Sequence, residues 1–173
     1  HIEEAEIGGI KILHCVFFPD PHYSLPIFGC DIVSNGKTVT AAIVDVSPVH
    51  GVGEDFYSEI RDLSNKFTFS GKRPLPLWGD DIFSPYCKFT RLTEEIDKAN
   101  FYCVVLLYLK EYRDRVLSTN RDTFWVNTMK RLDDQIWYCE SQKRNDKTRG
   151  ILEKWFDKEW TDKYMNEVLF DEP

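Results

Sequence analysis

Residues 10–48, IKILHCVFFPDPHYSLPIFGCDIVSNGKTVTAAIVDVSP, decide the fold class. Ile10 to Phe18 alternates loosely and is rich in apolar residues, which predicts a strand. Pro19, Pro21 and Pro26 keep the following stretch irregular, because proline fixes its own φ and donates no backbone hydrogen bond. Phe28 to Ser34 predicts a second strand and Thr38 to Val46 a third. Asn35-Gly36 between them is a hairpin signal, so these two strands pair antiparallel. His14 and Asp31 sit within these apolar strands. A polar side chain in such surroundings costs free energy unless it is paired or used.

Outward from that stretch, His1 to Glu6 reads as the end of a strand, with His1 and Glu3 on one face by the two-residue period. Gly8-Gly9 makes a turn. Pro48 to Gly53 is a loop. Glu54 to Phe67 predicts an amphipathic helix, with Phe56, Ile60, Leu63 and Phe67 at helical spacing. Lys72 to Pro85 is too rich in Pro and Gly for regular structure, and Tyr86 to Arg91 predicts a further strand. Thr93 is placed to cap a long helix running to about Val116, with Glu94 and Glu95 in its first turn. A second long helix is expected over Asp122 to Glu140 and a third over Ile151 to Phe170. Strands first and helices later imply an α+β fold with an antiparallel sheet. No repeat or linker divides the chain, so residues 1–173 read as a single domain. The chain opens on His1 rather than Met, and the expectation is that the natural protein carries a further N-terminal region.

Composition narrows the function. The 173 residues include 14% aromatics and carry a net charge of −7. That charge argues against a general nucleic-acid binder. The apolar runs are too short to span a bilayer, and no signal peptide is visible. The five cysteines (Cys15, Cys30, Cys87, Cys103, Cys139) are odd in number and form no CxxC. They read as buried free thiols in a reducing compartment rather than as a disulfide framework or a thiolate metal site.

ILHC with the following FP, LPIFGCDIV, AAI and DVSP, then LWGDDIFSPYC and NDKTRGILEKWF, resemble the ferredoxin-dependent bilin reductases, with few gaps over nearly the whole chain. The resemblance implies a three-layer α/β/α sandwich, with a central antiparallel sheet and helices on both faces. It places a bilin pocket between the sheet and the C-terminal helices. It also implies a monomer in a cyanobacterial cytoplasm or an algal plastid stroma, with no bound cofactor and no metal. Electrons would come from reduced ferredoxin directly to biliverdin IXα, and the protein would supply protons.

By the same resemblance, Asp31 protonates the bilin as electrons arrive. A buried carboxyl holds its proton to higher pH, which suits the task. From the residues alone, an outward-facing strand Asp is an equally good reading, since strand side chains alternate between faces. His14 titrates in the right range for proton transfer and matches the catalytic His of the family, with Glu3 as its partner near the D-ring vinyl group. Arg73 and Lys147 match contacts to the two propionates, and Thr148 and Thr40 match nearby hydroxyl donors. Arg suits a carboxylate because its planar fork bonds bidentately. Trp78 and Phe170 are candidate pocket walls, though for both plain core packing is the stronger reading from the residues.

Asn145 stands where relatives making phycoerythrobilin or phytochromobilin tend to carry a second catalytic Asp. With Glu3 and His14 present, the expected reaction is four-electron reduction of biliverdin IXα to phycocyanobilin, first at the D-ring vinyl and then at the A-ring. The alternatives are another phytobilin product or a non-catalytic tetrapyrrole carrier. Lys143, Arg144, Lys147 and Arg149, with Lys72 and Arg73, form two basic segments suited to acidic ferredoxin.

Overall fold

The three strands of residues 10–48 form the middle of one antiparallel sheet. The computed structural model describes residues 1–172. Strands β1 (Ile2–Ile7), β2 (Ile10–Phe17), β3 (Ile27–Ser34), β4 (Val39–Ser47) and β5 (Lys88–Leu92) lie in the order β1-β2-β3-β4-β5. Gly8 and Gly9 make the first hairpin turn with φ of 58° and 80°. That left-handed pair matches the twist of the flanking strands and strains any residue with a Cβ. Asn35 anchors the second hairpin: its Oδ1 accepts hydrogen bonds from the N–H groups of Lys37 and Thr38.

The pleat sends alternate residues to opposite faces. Phe28, Cys30, Ala42, Val44 and Val46 face helices α1 (Glu54–Ser64) and α3 (Glu95–Ser118), whose Phe56, Ile60, Phe101, Val104 and Tyr108 complete the main core. On the other face, Val16 and Ile27 pack with Val49, Ile82 and Tyr138. Tyr138 belongs to α4 (Trp125–Gln142), and the short α2 (Leu77–Asp80) lies beside it. A third cluster joins Cys139 to Leu152, Met165, Leu169 and Phe170. Helices therefore cover both faces, as the resemblance implies. No described helix is long and apolar enough to cross a membrane.

The helix ends differ from the expectations. α1 stops at Ser64 because the N–H groups of Lys66 and Phe67 reach back only three residues, closing a tight last turn. α3 starts after Glu94, with no side-chain cap from Thr93. α4 starts at Trp125, where Asp122 accepts from the N–H of Phe124. One turn of helix, α2, lies inside the segment expected to be irregular. The single C-terminal helix expected over Ile151 to Phe170 is instead three pieces: α5 (Asp146–Trp155), α6 (Lys158–Tyr164) and a π-helical turn at Met165–Leu169. Asp157 causes the break between the first two by accepting from Trp160 N–H, which starts a new helix while Phe156 is extended. All five cysteines are free, but of those expected to be buried Cys30 and Cys139 are, Cys15 and Cys87 are partly exposed, and Cys103 is exposed on α3.

Candidate active site

The second face of the sheet is not fully covered. Between its centre and α5–α6 lies a cavity of about 780 Å³, within the range of small-molecule sites. Glu3, His14, Asp31, Ile43 and Phe89 are among its floor residues, and Trp78, Ile151, Trp155 and Phe170 among its walls. Register explains the floor. Glu3 pairs with His14 across β1 and β2, His14 with Asp31 across β2 and β3, and Asp31 with Ile43 across β3 and β4. Directly paired residues point to the same face, so three titratable groups from three strands stand in one row.

His14 Nδ1 and Asp31 Oδ1 are hydrogen-bonded. The His14 side chain is 13% exposed and that of Asp31 40%, so the carboxylate is the more open to the cavity. Burial pulls the His14 pKa down. The charge and hydrogen bond of Asp31, with the charge of Glu3, more than offset this and leave it raised. His14 Nε2 is buried without a hydrogen-bond partner among the described residues.

The expected hydrogen bond between Glu3 and His14 is not the one formed. Glu3 stands opposite His14, but its Oε2 accepts from the Tyr164 hydroxyl and lies 3.5 Å from His1 Nε2. His14 turns to Asp31 because the β3 carboxylate meets its Nδ1. Phe170 packs edge-on to the His14 ring, with centroids 6.0 Å apart.

Arg73 reaches the rim from the segment beside β5. Its guanidinium donates to the Thr40 carbonyl at 3.1 Å and lies 4.9 Å from the centroid of the Phe89 ring. The β3–β4 register shifts near Val33 and Ser34, where Ala41 and Val39 are the consecutive partners, so Thr40 is the extra residue of a bulge. A bulge leaves that residue out of the ladder, and the Thr40 carbonyl is the one Arg73 uses. The Thr40 hydroxyl donates to the Val33 carbonyl.

On the opposite rim Asn145 caps α5, its side chain accepting from Thr148 N–H at 3.2 Å. Lys147 is exposed at the rim and makes no ion pair among the described residues. The basic segment is less free than its composition suggests. Lys143 pairs with Glu172 at 2.8 Å, Arg149 pairs with Asp162, and Arg144 lies over the Trp137 ring.

The structure thus brings every candidate to one cavity: Glu3, His14, Asp31, Thr40, Arg73, Trp78, Asn145, Lys147, Thr148 and Phe170 all line it. It also adds residues the sequence reading passed over. Phe156, Trp160 and Tyr164 stack in series along one wall. Their spacing of four was a visible signal, but aromatic residues at helical spacing are more often core.

The chain matches the family model of ferredoxin-dependent bilin reductases over residues 1–171. It is 45% identical to the phycocyanobilin:ferredoxin oxidoreductase of Synechococcus sp. (strain CC9902), over 100% of this chain and 71% of that protein. It is 43% identical to the protein of the same name from Prochlorococcus marinus (strain MIT 9313), over 100% of this chain and 66% of that one. The chain therefore spans about two thirds of the length of these curated relatives. Among solved structures, phytochromobilin synthase from tomato in complex with biliverdin superposes with a TM-score of 0.80 at 20% identity, covering 94% of this chain and 60% of that one. At that identity the likeness supports the fold.

Proposed function

The chain belongs to the ferredoxin-dependent bilin reductase family, and from that premise we propose that it reduces biliverdin IXα to phycocyanobilin with electrons from ferredoxin. The observation that carries the reading is the row of Glu3, His14 and Asp31 on the floor of a cavity with Arg73 at its rim. A carrier needs apolar walls and propionate cations. It has no use for three adjacent titratable groups on the cavity floor.

The overall change is four electrons and four protons per biliverdin, in two two-electron steps. Electrons arrive singly from ferredoxin, so each leaves a bilin radical until the next arrives. The chain supplies and places the protons. Asp31, partly open to the cavity, is the donor to the tetrapyrrole. His14, whose raised pKa favours the protonated ring, re-protonates Asp31 through their hydrogen bond. Glu3 serves the D-ring vinyl end. Arg73 and Lys147 hold the propionates, with Thr40 and Thr148 beside them. Asn145, committed to capping α5, takes the place of a second carboxylate, which favours the phycocyanobilin product. The reaction belongs where reduced ferredoxin is made, in the cytoplasm of a cyanobacterium or the stroma of an algal plastid.

The test is anaerobic incubation of the protein with biliverdin, ferredoxin and a reductant, followed by absorption and product chromatography. Loss of biliverdin through a two-electron intermediate to phycocyanobilin is the expected result. Tight binding without reduction would mark a carrier.

A further inference from the structure

Tyr164 is the last residue of α6, and its hydroxyl donates to Oε2 of Glu3 on the edge strand β1. The two residues are 161 positions apart, so this contact is a tertiary one that ties the C-terminal helices to the sheet. The Tyr164 ring has little freedom of its own. It stacks on Trp160 with centroids 4.7 Å apart and planes at 12°, and Trp160 stacks on Phe156 at 4.0 Å and 27°. The π-helical turn that follows at Met165–Leu169 carries the chain on to Phe170 against His14. Such turns concentrate at functional sites.

Burial raises the Tyr164 pKa, and the hydrogen bond and charge of Glu3 raise it further. The hydroxyl therefore stays protonated and acts as a donor. Both contacts to the Glu3 carboxylate, from Tyr164 and from the His1 ring, fall on Oε2. Oε1 has no hydrogen bond among the described residues. A glutamate on an edge strand, with its side chain 36% exposed, is otherwise free to rotate towards solvent, since Glu has large rotamer freedom to lose.

We propose that Tyr164 is a positioning residue of the reaction: it pins Oε2 of Glu3 so that Oε1 stays available to the ligand beside His14. A phenylalanine would stack on Trp160 equally well, so the hydroxyl is the specific part. The inference rests on the functional reading in that it takes Glu3 as a proton donor to the D-ring end.

The test compares the parent, Tyr164→Phe, Glu3→Gln and the double variant, each with biliverdin and reduced ferredoxin in single turnovers. Tyr164→Phe should bind biliverdin within about twofold of the parent and slow the first two-electron step by about tenfold, less than the roughly 10²–10⁴-fold that a whole acid–base group contributes, because the Glu3 carboxyl itself remains. The second step should be unchanged. Glu3→Gln/Tyr164→Phe should be no slower than Glu3→Gln, because two residues acting through one carboxylate are not additive. A Tyr164→Phe variant that matches the parent overturns the inference. So does slowing that persists in the Glu3→Gln background, and so does lost binding, which would make Tyr164 a wall. A parent that leaves biliverdin unreduced overturns the functional reading and this inference together, and the parent lane alone tells the two failures apart.

Discussion

His14 Nδ1 and Asp31 Oδ1 are hydrogen-bonded across paired strands, while Nε2 of the same ring is buried with no partner among the described residues. One nitrogen is held and the other is shielded without a partner. An orphaned buried nitrogen costs free energy in the empty protein, and a ligand or a water molecule that bonds to it recovers that cost. With the ring protonated, both nitrogens donate, so the imidazolium holds Asp31 while its second N–H still lacks an acceptor.

Replacing Asp31 by Asn should reverse the shift of His14. Burial then acts with only the charge of Glu3 against it, and the His14 pKa should fall below its ordinary 6.5. The parent's raised value gives stability that is full below the unfolded pKa and is lost as pH rises through the folded one. The variant loses that gain. Titration of the His14 ring by NMR in the ligand-free proteins measures both values, and an unmoved His14 would contradict the electrostatic account. With biliverdin and ferredoxin present, Asp31→Asn should bind the pigment, accept an electron and stall with a bilin radical visible by EPR.

The two proposed propionate cations should differ in weight. Arg73 is half-buried and already oriented by Thr40 and Phe89. Arg73→Ala should cost about 1.5–3 kcal/mol of biliverdin affinity, the range for a hydrogen bond to a charged group, or about ten- to a hundredfold in Kd. Lys147 is exposed, and Lys147→Ala should cost about 0–1 kcal/mol. Absorption titrations with biliverdin and its dimethyl ester provide the measurement. Equal losses from the two variants would mean that shielding does not separate them.

Asp45 is fully buried on the cavity side of β4, where Ser47 and Ser84 donate to it; the Ser84 N–H bond is 2.9 Å. It thereby fastens the segment that carries Phe83, a cavity wall residue. Burial outweighs these hydrogen bonds and pushes its pKa from 3.8 up to about 6. Between those values the folded protein holds a proton that the unfolded chain has released, so this group's contribution to stability falls as pH rises from about 4 to about 6 and is level above that. Asp45→Asn should remove that slope. Urea midpoints of parent and variant across pH 4–7 test it; parallel curves would show that Asp45 does not titrate there.

Ferredoxin-driven reduction should slow as salt rises, because steering by exposed charge fades beyond about 8 Å at physiological ionic strength. Lys143 and Arg149 are already paired with carboxylates, so the exposed Lys72 and Arg144 are the better charges to reverse. Lys72→Glu with Arg144→Glu should lower the low-salt rate several-fold by lost steering, while biliverdin affinity stays at the parent value. A rate indifferent to both salt and charge reversal would place the ferredoxin contact on another face.

Much of the sheet was legible because its signals are local. Asn35-Gly36 marks its hairpin whatever surrounds it, and alternation marks β3 and β4. Helix ends were less legible, because a cap is a competition between side chains for the same N–H groups. Asp157 wins that competition and breaks the expected C-terminal helix, whereas Thr93 does not cap α3. The positions of His14 and Asp31 were legible as polar residues in apolar strands.

Residue type and spacing alone determined that this chain builds an antiparallel sheet with later helices, and marked His14 and Asp31 as polar residues in apolar strands; Glu3 and Arg73 came from the resemblance to the bilin reductases. Which of these residues touch was decided only in three dimensions. The link from β2 to β3 runs through three prolines, and the register across it, His14 against Asp31, is set by packing of both sheet faces rather than by any turn signal. The Tyr164–Glu3 bond depends on where α6 lands after the break at Asp157, 161 residues from its partner. Side chains that far apart in sequence meet only once the core between them has formed, so no local pattern encodes their hydrogen bond.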